Sequence, residues 1–382
     1  MAGTGFVYKN ISETSAALLE VLENPELTVR DVMIPLDVWT ETVERDAETI
    51  EKHSVMLDQA FEQTMLMAEK CSEQALFDRL LSVLCDYADR DPVNCSIMKN
   101  FYSEYSYFWG SFDPSSGDYE HFDMAIHAVK QNIDNIRWLY GELADYRSKK
   151  VLNGIISYWL ELNDDHLKKL REGNYGDYFD LDILQGAMPD ETVFVDCGGY
   201  TGDTAREYYD SFLRCKRYYL YEMIPKSISM AKETLEKHNE VIYRNVGVGS
   251  PAQKGTVIPV KDVVTNSFSL DRYKEAAPGV NAEQHNNAEE VNIRLVTLDE
   301  DITEPVTFIK MDIEGSEINA LLGAKRHIEA DHPVLAICTY HHYEHLWEIP
   351  RLIRSINPEY KLYLRYNGME RIMATEHYML AV

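Results

Sequence analysis

The residues 192–202, T-V-F-V-D-C-G-G-Y-T-G, have the composition of a buried strand that turns into a helix. A β-branched and aromatic run comes first, Asp196 follows at its end, and Gly198, Gly199 and Gly202 come next. Glycine permits tight turns and close approach of the backbone to a ligand. The spacing D-x-G-x-x-x-G differs from the dinucleotide fingerprint G-x-G-x-x-G. The run therefore predicts a ligand-binding turn of another kind.

The charge of Asp196 limits which ligand this turn accepts. A pyrophosphate needs bare backbone N–H groups at a helix N-terminus, and a carboxylate repels it. An ammonium or hydroxyl group suits a carboxylate, and S-adenosylmethionine carries an ammonium and no phosphate. The motif alone equally allows an ordinary strand-to-helix turn with Asp196 as the N-cap.

Polar residues follow two further predicted strands. Glu222 comes 26 residues after Asp196, the reach of one βαβ unit, and its carboxylate can accept hydrogen bonds from a ribose diol. Asn245 and Val246, followed by Gly247, place small residues beside a flat pocket for an adenine, or they form a simple turn. Both positions predict a nucleoside-like ligand.

A fourth strand, F-I-K-M, runs into the polar cluster D-I-E-G-S-E, which contains Asp312, Glu314 and Glu317. The fifth strand ends in C-T-Y-H-H, which contains His341 and His342. A positioned His or carboxylate can remove a hydroxyl proton, so the candidates for a general base are His341, His342, Asp312 and Glu314. The alternative is that the two histidines cap or pack against the next helix.

The residues 341–345, H-H-Y-E-H, also match the zinc-hydrolase pattern H-x-x-E-H. That pattern needs a continuous helix, whereas here an apolar strand runs up to His341. We therefore expect no zinc ligands. A different alternative is a divalent-cation site at Asp312, Glu314 and these histidines that orients substrate hydroxyls.

Composition limits the possible binding partners and the cellular location of the protein. The chain has 382 residues, 45% of them hydrophobic, and a net charge of −27, which disfavours nucleic acid and anionic lipid. Its six cysteines show no C-x-x-C pairing, which argues against a disulfide framework. No apolar run approaches the roughly 18 residues that span a bilayer. We expect a cytoplasmic protein with no membrane span.

Composition and residue pattern divide the chain into four regions. Residues 1–110 are acidic and look helical, residues 111–118 form a turn-rich linker, and residues 119–185 are a helical lead-in or cap. Residues 186–382 alternate short apolar strands with helices, the pattern of an α/β sheet. The predicted strands are residues 192–195, 217–221, 241–245, 306–311, 334–339, 361–366 and 377–382.

From about Tyr178 onward the chain resembles the FkbM-type family of S-adenosylmethionine-dependent methyltransferases. The resemblance rests on V-F-V-D-C-G-G-Y-T-G-D-T, Y-E-M-I-P, V-T-L-D-E and above all F-I-K-M-D-I-E-G-S-E followed by L-L-G-A. It implies a class I, Rossmann-like α/β fold: a seven-stranded sheet with helices on both faces and an antiparallel final strand. It also implies O-methylation of hydroxyls on sugars or polyketides.

The resemblance also implies individual roles. Asp196, Gly198 and Gly202 would bind the methionine end of S-adenosylmethionine, with Tyr200 lining the same loop. Glu222 would bind its ribose, and Asp312 would face the transferred methyl group. We therefore predict an O-methyltransferase for a small-molecule or glycan acceptor. The alternatives are the zinc hydrolase and a non-catalytic scaffold that senses cofactor, with a protein partner or self-association through the N-terminal helices.

Overall fold

The computed structural model describes residues 36–162, 167, 178–184, 191–212, 215–261, 289–368 and 376–382. The chain divides into two compact units, before and after residue 60. In the first unit the described residues, 36–60, are helical. The second unit, Phe61–Val382, contains all the described strands.

Helices dominate the described part of the chain before residue 185. Their bounds are Leu36–Lys70 (α1), Glu73–Arg90 (α2), Pro92–Glu104 (α3), Ser106–Trp109 (α4), Glu120–Gln131 (α5), Ile133–Glu142 (α6), Tyr146–Glu161 (α7) and Leu181–Leu184 (α8). The helical texture predicted from the sequence is confirmed in these ranges. The part of that prediction that concerns residues 1–35 lies outside the described residues.

Local chemistry fixes where two of these helices begin. The side chain of Asp91 accepts a hydrogen bond from the backbone of Asn94, and Pro92 occupies the first turn of α3. Asp145 caps α7 in the same way through Ser148. Between α4 and α5 the predicted linker is a tight turn in which Asp113 and Asp118 form an isolated β-bridge.

Seven strands form one mixed sheet in the order β3-β2-β1-β7-β8-β10-β9. Their bounds are Val193–Cys197 (β1), Arg217–Tyr221 (β2), Val241–Arg244 (β3), Phe308–Met311 (β7), Val334–Cys338 (β8), Leu362–Tyr366 (β9) and His377–Ala381 (β10). β10 runs antiparallel to both β8 and β9. The predicted seven strands and the antiparallel final strand are confirmed.

Helices cover both faces of this sheet. Residues on β1 alternate between the faces: Val193 and Val195 join a core that includes α2 to α7, while Phe194 joins a second core. The second core includes residues of the helices that follow β1 and β2. The described helices after β1 in the chain are Asp203–Ser211 (α9), Pro225–Thr234 (α10), Leu298–Asp301 (α11), Glu317–Gly323 (α12), Lys325–Ala330 (α13) and His345–Ile356 (α14).

A small second sheet lies between β3 and β7 in the chain. Its strands are Gly247–Val248 (β4), Val257–Lys261 (β5) and Glu290–Val296 (β6), in the order β4-β6-β5. The sequence does not predict this sheet, because β4 has only two residues and pairs with a strand more than 40 residues away.

The helical region and the sheet share one hydrophobic core, since buried residues from Phe61 to Leu167 belong to the same cluster as those of β1, β7 and β8. The functional division at residues 110 and 185 stays a prediction. Among the described helices, none combines the length and apolar character that a membrane crossing requires.

Candidate active site

A cavity of about 660 Å³ opens at the carboxyl ends of the parallel strands. The segments that follow β1, β2, β3, β7 and β8 all contribute to its wall, as expected for a ligand site of an open α/β sheet. Of the residues predicted from the sequence, seven line this cavity: Gly198, Tyr200, Glu222, Val246, Asp312, Glu314 and His341.

Asp196 does not line the cavity itself and is completely buried. Its carboxylate forms an ion pair with Lys310, 3.0 Å away, and accepts a hydrogen bond of 2.9 Å from the hydroxyl of Tyr218. Asp196 and Lys310 are register partners on neighbouring strands. Burial tends to lower the pKa of Lys310, but the charges of Asp196 and Asp312 raise it above its ordinary value. Lys310 therefore stays cationic.

The glycine turn after β1 is shaped by close contacts. Gly198 has a φ of +83°, and a Cβ atom there would lie 1.9 Å from the carbonyl oxygen of Asp312. Lys310 donates a hydrogen bond of 2.8 Å to the carbonyl of Gly198. Gly202, also in the left-handed region at +81°, is the N-cap residue of α9. Lys310 thus connects the buried Asp196 to the turn.

Glu222 joins two loops of the cavity. One carboxylate oxygen accepts a hydrogen bond from the backbone of Tyr200 (3.0 Å), and the other accepts one from Ile224 (2.8 Å). Burial raises the pKa of Glu222. Asn245 lies just outside the lining and donates its amide hydrogen bonds to the carbonyls of Glu222 and Met223. Its side chain therefore fixes the loop that carries Glu222.

Two phenols hold Asp312 in place at the cavity. Tyr178 donates a hydrogen bond of 2.7 Å to one carboxylate oxygen, and Tyr340 donates a longer one of 3.3 Å to the other. Burial together with the Asp312 charge raises the pKa of both tyrosines well above the ordinary value. Both tyrosines therefore stay protonated and donate to the Asp312 side chain.

His341 lies beside Asp312 and is buried, with 1% of its surface exposed. Its Nδ1 is 2.9 Å from the carboxylate of Glu317. Its Nε2 is 3.4 Å from Asp312 and 3.6 Å from Glu314. Glu317 is itself anchored, because it accepts a backbone hydrogen bond of 2.9 Å from Ile313.

Electrostatics in this cluster favour a charged histidine. Burial tends to lower the pKa of His341, but Glu317, Glu314 and Asp312 together raise it to about 9. Burial would raise the pKa of Glu317, yet His341 and His345 hold it well below its ordinary value. Burial raises the pKa of Glu314 to about 8, against the opposing effect of His341.

His342 does not line the cavity among the described residues. It is half-buried and its ring meets Phe108 and His345 edge to face. Its Nε2 would be 2.7 Å from a Cβ atom at Gly315. Of the two histidines proposed as a base, the structure therefore brings only His341 to the cavity wall.

The zinc pattern at 341–345 lacks its helical geometry. Helix α14 begins at His345, so His341 precedes it and does not share a helical face with His345. Both histidines face Glu317, whereas Glu344, which would be the general base of that motif, is exposed.

A divalent cation has a different set of candidate ligands. Single ligand atoms of Asp312, Glu317 and His341 lie within 4.8 Å of one another. One Glu317 oxygen already accepts backbone hydrogen bonds from Ile313 and Gly315, and it faces His341. This engagement favours a proton on His341 over a metal between the three residues.

An aromatic wall closes one side of the cavity; it is formed by Phe101 of α3, Tyr105 between the two helices, and Phe108 and Trp109 of α4. The indole N–H of Trp109 donates a hydrogen bond of 2.7 Å to the carbonyl of Tyr340. The sequence pattern does not place these residues at the site, nor does it place Tyr178 and Glu376 there. The density of aromatic residues between 101 and 109 was the one available indication.

Residues 196–368 match the family model described as the Methyltransferase FkbM domain. The chain contains a methyltransferase FkbM domain. The predicted family, the predicted enzyme class and S-adenosylmethionine as the methyl donor of this domain are thereby confirmed. The matched range covers the segments after β1, β2, β3, β7 and β8, and it excludes the aromatic wall.

A solved structure supports the fold of this methyltransferase domain. Methyltransferase FkbM from Methylobacillus flagellatus KT is 22% identical, with a TM-score of 0.53, and the match covers 68% of this chain and 62% of that one. An rRNA methylase from Streptococcus thermophilus is 14% identical, with a TM-score of 0.31, and covers 52% of this chain and 90% of that one. No curated protein sequence matches the chain. The class I fold is confirmed.

Proposed function

We propose that this protein transfers a methyl group from S-adenosylmethionine to a hydroxyl of a sugar, glycan or polyketide-like acceptor. The observation that carries the proposal is the buried pair of Glu317 and His341 in the cavity wall, with Nε2 of His341 facing Asp312. A histidine oriented by a carboxylate is suited to receive the proton of a hydroxyl group.

The cavity's charge fits this cofactor. Its described lining carries seven carboxylates, whereas Arg206 and Lys310 are its lysine and arginine residues, and Lys310 is already paired. Such a surface accepts a sulfonium and an ammonium and repels a phosphate. The cofactor, when bound, supplies an electrophilic methyl group.

Each predicted binding residue has a part in this proposal. Gly198 and Tyr200 shape the turn beside the methionine end, with Asp196 acting through Lys310 and Gly202 starting the helix that follows. The carboxylate of Glu222 binds the ribose diol, since each oxygen has a lone pair left beyond its backbone hydrogen bond. Val246 lines the adenine side, and Asn245 holds that loop in place.

In this proposal His341 is the general base. His341 in its neutral form would take the hydroxyl proton on Nε2, and Glu317 would stabilise the imidazolium that forms. The bound cofactor would supply the methyl group to the acceptor oxygen and leave as S-adenosylhomocysteine, whose sulfur keeps the electron pair of the broken C–S bond. Asp312, fixed by Tyr178 and Tyr340, lies at the point where these groups meet. Orientation of the acceptor contributes roughly 7–11 kcal/mol, and the base a further rate factor of about 10²–10⁴.

We further propose a cytoplasmic location, which the six free cysteines support. A docking role for the helices before residue 110, toward a partner protein or a second copy, also remains a proposal.

Calorimetric titration of the full chain with S-adenosylhomocysteine tests the cofactor site. We expect micromolar binding that is lost in Glu222→Ala and in Asp196→Ala, and retained in Glu236→Ala, because Glu236 is exposed and outside the cavity lining. A wild-type protein that is folded by circular dichroism and does not bind would refute the proposed function.

A further inference from the structure

The loop that carries His341, residues 340–343, is bound to the helical region at both of its ends. Trp109, the last residue of α4, makes the two contacts. Its indole N–H donates a hydrogen bond of 2.7 Å to the carbonyl of Tyr340. Its backbone carbonyl accepts a hydrogen bond of 3.2 Å from the hydroxyl of Tyr343. One residue of the helical region thus holds the loop on either side of His341.

The hydroxyl of Tyr343 has a second partner on the helical side. It lies 3.1 Å from the carbonyl of His121 and 2.8 Å from Nδ1 of the same residue. Burial raises the pKa of Tyr343 well above its ordinary value and lowers the pKa of His121 to about 3. Both side chains are therefore neutral at the pH of a working enzyme, and their contact with Trp109 does not depend on pH.

Ring contacts add to these hydrogen bonds. The ring of Phe108 lies 5.3 Å from that of His341 and 5.7 Å from that of His342. Trp159 of α7 meets the ring of Tyr343 edge to face at 5.0 Å. The position of the imidazole is therefore fixed by groups of two origins: Glu317 within the FkbM domain, and aromatic residues that precede it.

We infer that Trp109 is a positioning residue for methyl transfer, which holds residues 340–343 so that Nε2 of His341 faces Asp312. The inference rests on the proposed function, in which His341 is the general base. A misplacement of about 1 Å at a reacting group can reduce the rate roughly 10²-fold. Trp109 lies before residues 196–368, so the FkbM domain takes part of its active-site geometry from the preceding helices.

Hydrogen–deuterium exchange of the full chain tests whether Trp109 holds the loop. The reporters are the amides of residues 345–347, because they donate to the carbonyls of residues 342–344. Trp109→Phe keeps an aromatic ring in the wall but lacks the indole N–H. These amides should exchange about fivefold faster in this variant, the effect of losing one neutral hydrogen bond. The glycine turn, residues 196–202, should exchange as in the wild type.

NMR separates the positioning of His341 from a general loss of stability. In protein labelled with ¹³C in its histidine rings, the signal of His341 is identified by its absence in His341→Gln. Neighbouring carboxylates raise the pKa of His341 to about 9, so a ring that has moved away from them should titrate about one pH unit lower. His327, which contacts Asp331 outside the cavity lining, is the internal reference. The ionisable side chains that face His341 or share its contacts are Asp312, Glu314, Glu317, Tyr340, His345 and His377.

Two further variants complete the test. Tyr343→Phe removes the hydroxyl at the other end of the loop and should change both measurements in the same direction, so it decides the matter if Trp109→Phe does not fold. Trp138→Phe is the matched control and should change neither, because Trp138 is half-buried, lies over Arg351 and is outside the cavity lining.

Two results would overturn the inference. The first is unchanged exchange at residues 345–347, or an unchanged titration of His341, in the folded loop variants. The second is a wild-type His341 that titrates near the ordinary value of about 6.5. That result would also remove His341 as the base of the proposed function, whereas the first leaves the base in place and concerns Trp109 alone.

Discussion

The carboxylate of Glu317 lies 2.9 Å from Nδ1 of His341, and both side chains are almost completely buried. Because Nδ1 faces Glu317, the other nitrogen, Nε2, is directed toward Asp312 and Glu314. The imidazole thus has a fixed orientation and one reactive nitrogen at the cavity. This arrangement separates the roles of two neighbouring histidines that the sequence left equivalent.

His341→Gln should reduce methyl transfer by about 10²–10⁴-fold, the range for loss of a general base. The affinity for S-adenosylhomocysteine should stay within about twofold, because His341 acts on the acceptor. The matched variant His342→Gln should retain most of its turnover. Transfer of a radiolabelled methyl group from S-adenosylmethionine to a hydroxyl-bearing acceptor measures both. Undiminished turnover in His341→Gln would eliminate the proposed base.

The pH dependence of kcat/KM for the acceptor reports the same residue. Only neutral His341 can accept a proton, and the pKa of His341 is raised to about 9. The value of kcat/KM should therefore increase from about pH 6 and level off near pH 9. The ionisable groups facing His341 are Asp312, Glu314, Glu317 and Tyr340. His345 shares the Glu317 carboxylate with it, and burial together with the His341 charge lowers the pKa of His377. Glu314, with a pKa of about 8, is the competing assignment.

Glu314→Gln distinguishes the two assignments. If His341 is the base, this variant keeps a rising profile, displaced to lower pH because one of the charges that raise the pKa of His341 is gone. If Glu314 is the base, the rise disappears together with most of the turnover. The two groups interact, so the wild-type profile gives apparent values for the pair.

Lys310→Met should strongly destabilise the protein. It leaves Asp196 buried without its cation, and loss of one partner of a buried ion pair costs about 3–5 kcal/mol. Lys254→Met is the matched control, since its partner Glu300 is exposed and surface pairs contribute about 0–1 kcal/mol. Urea unfolding midpoints compare the two. If the double variant Lys310→Met/Asp196→Asn is partly restored in stability, the loss in Lys310→Met comes from the buried Asp196 charge. Equal unfolding midpoints for Lys310→Met and Lys254→Met would contradict this prediction.

Gly198→Ala tests the turn. The new Cβ atom would collide with the backbone of Asp312, whereas Gly117→Ala, at a similar φ of +77°, meets no atom within 4 Å. Both variants incur the left-handed penalty of about 1–2 kcal/mol. Only Gly198→Ala should also lose S-adenosylhomocysteine binding, measured by calorimetry. Normal binding in this variant would show that the turn can move without loss of the site.

The main sheet could be predicted from the sequence because each strand is a short apolar run next to a turn. The strands from Val193–Cys197 to His377–Ala381 begin and end within two residues of their predicted bounds. The loops after these strands line one cavity, as expected because the carboxyl ends of parallel strands meet at one edge of the sheet.

Other features depend on contacts that no local pattern encodes. Asp196 has its charge partner on β7, which becomes its neighbour only through the strand order. Trp109 reaches Tyr340 across 231 residues of sequence. An aromatic residue that packs in a core and one that lines a cavity have the same local pattern, so the wall of α3 and α4 could not be told from a packing surface.

β10 lies between β8 and β9, although it follows both in the chain. During synthesis β9 has no place beside β8 until β10 has been made, and the hairpin must then insert as a unit. Glu376 directly precedes β10, and Tyr340 and His341 follow β8, so this part of the cavity wall is completed at the same moment. The nascent chain therefore gains its complete cavity wall only when the sheet closes, and such non-local assembly is intrinsically slow.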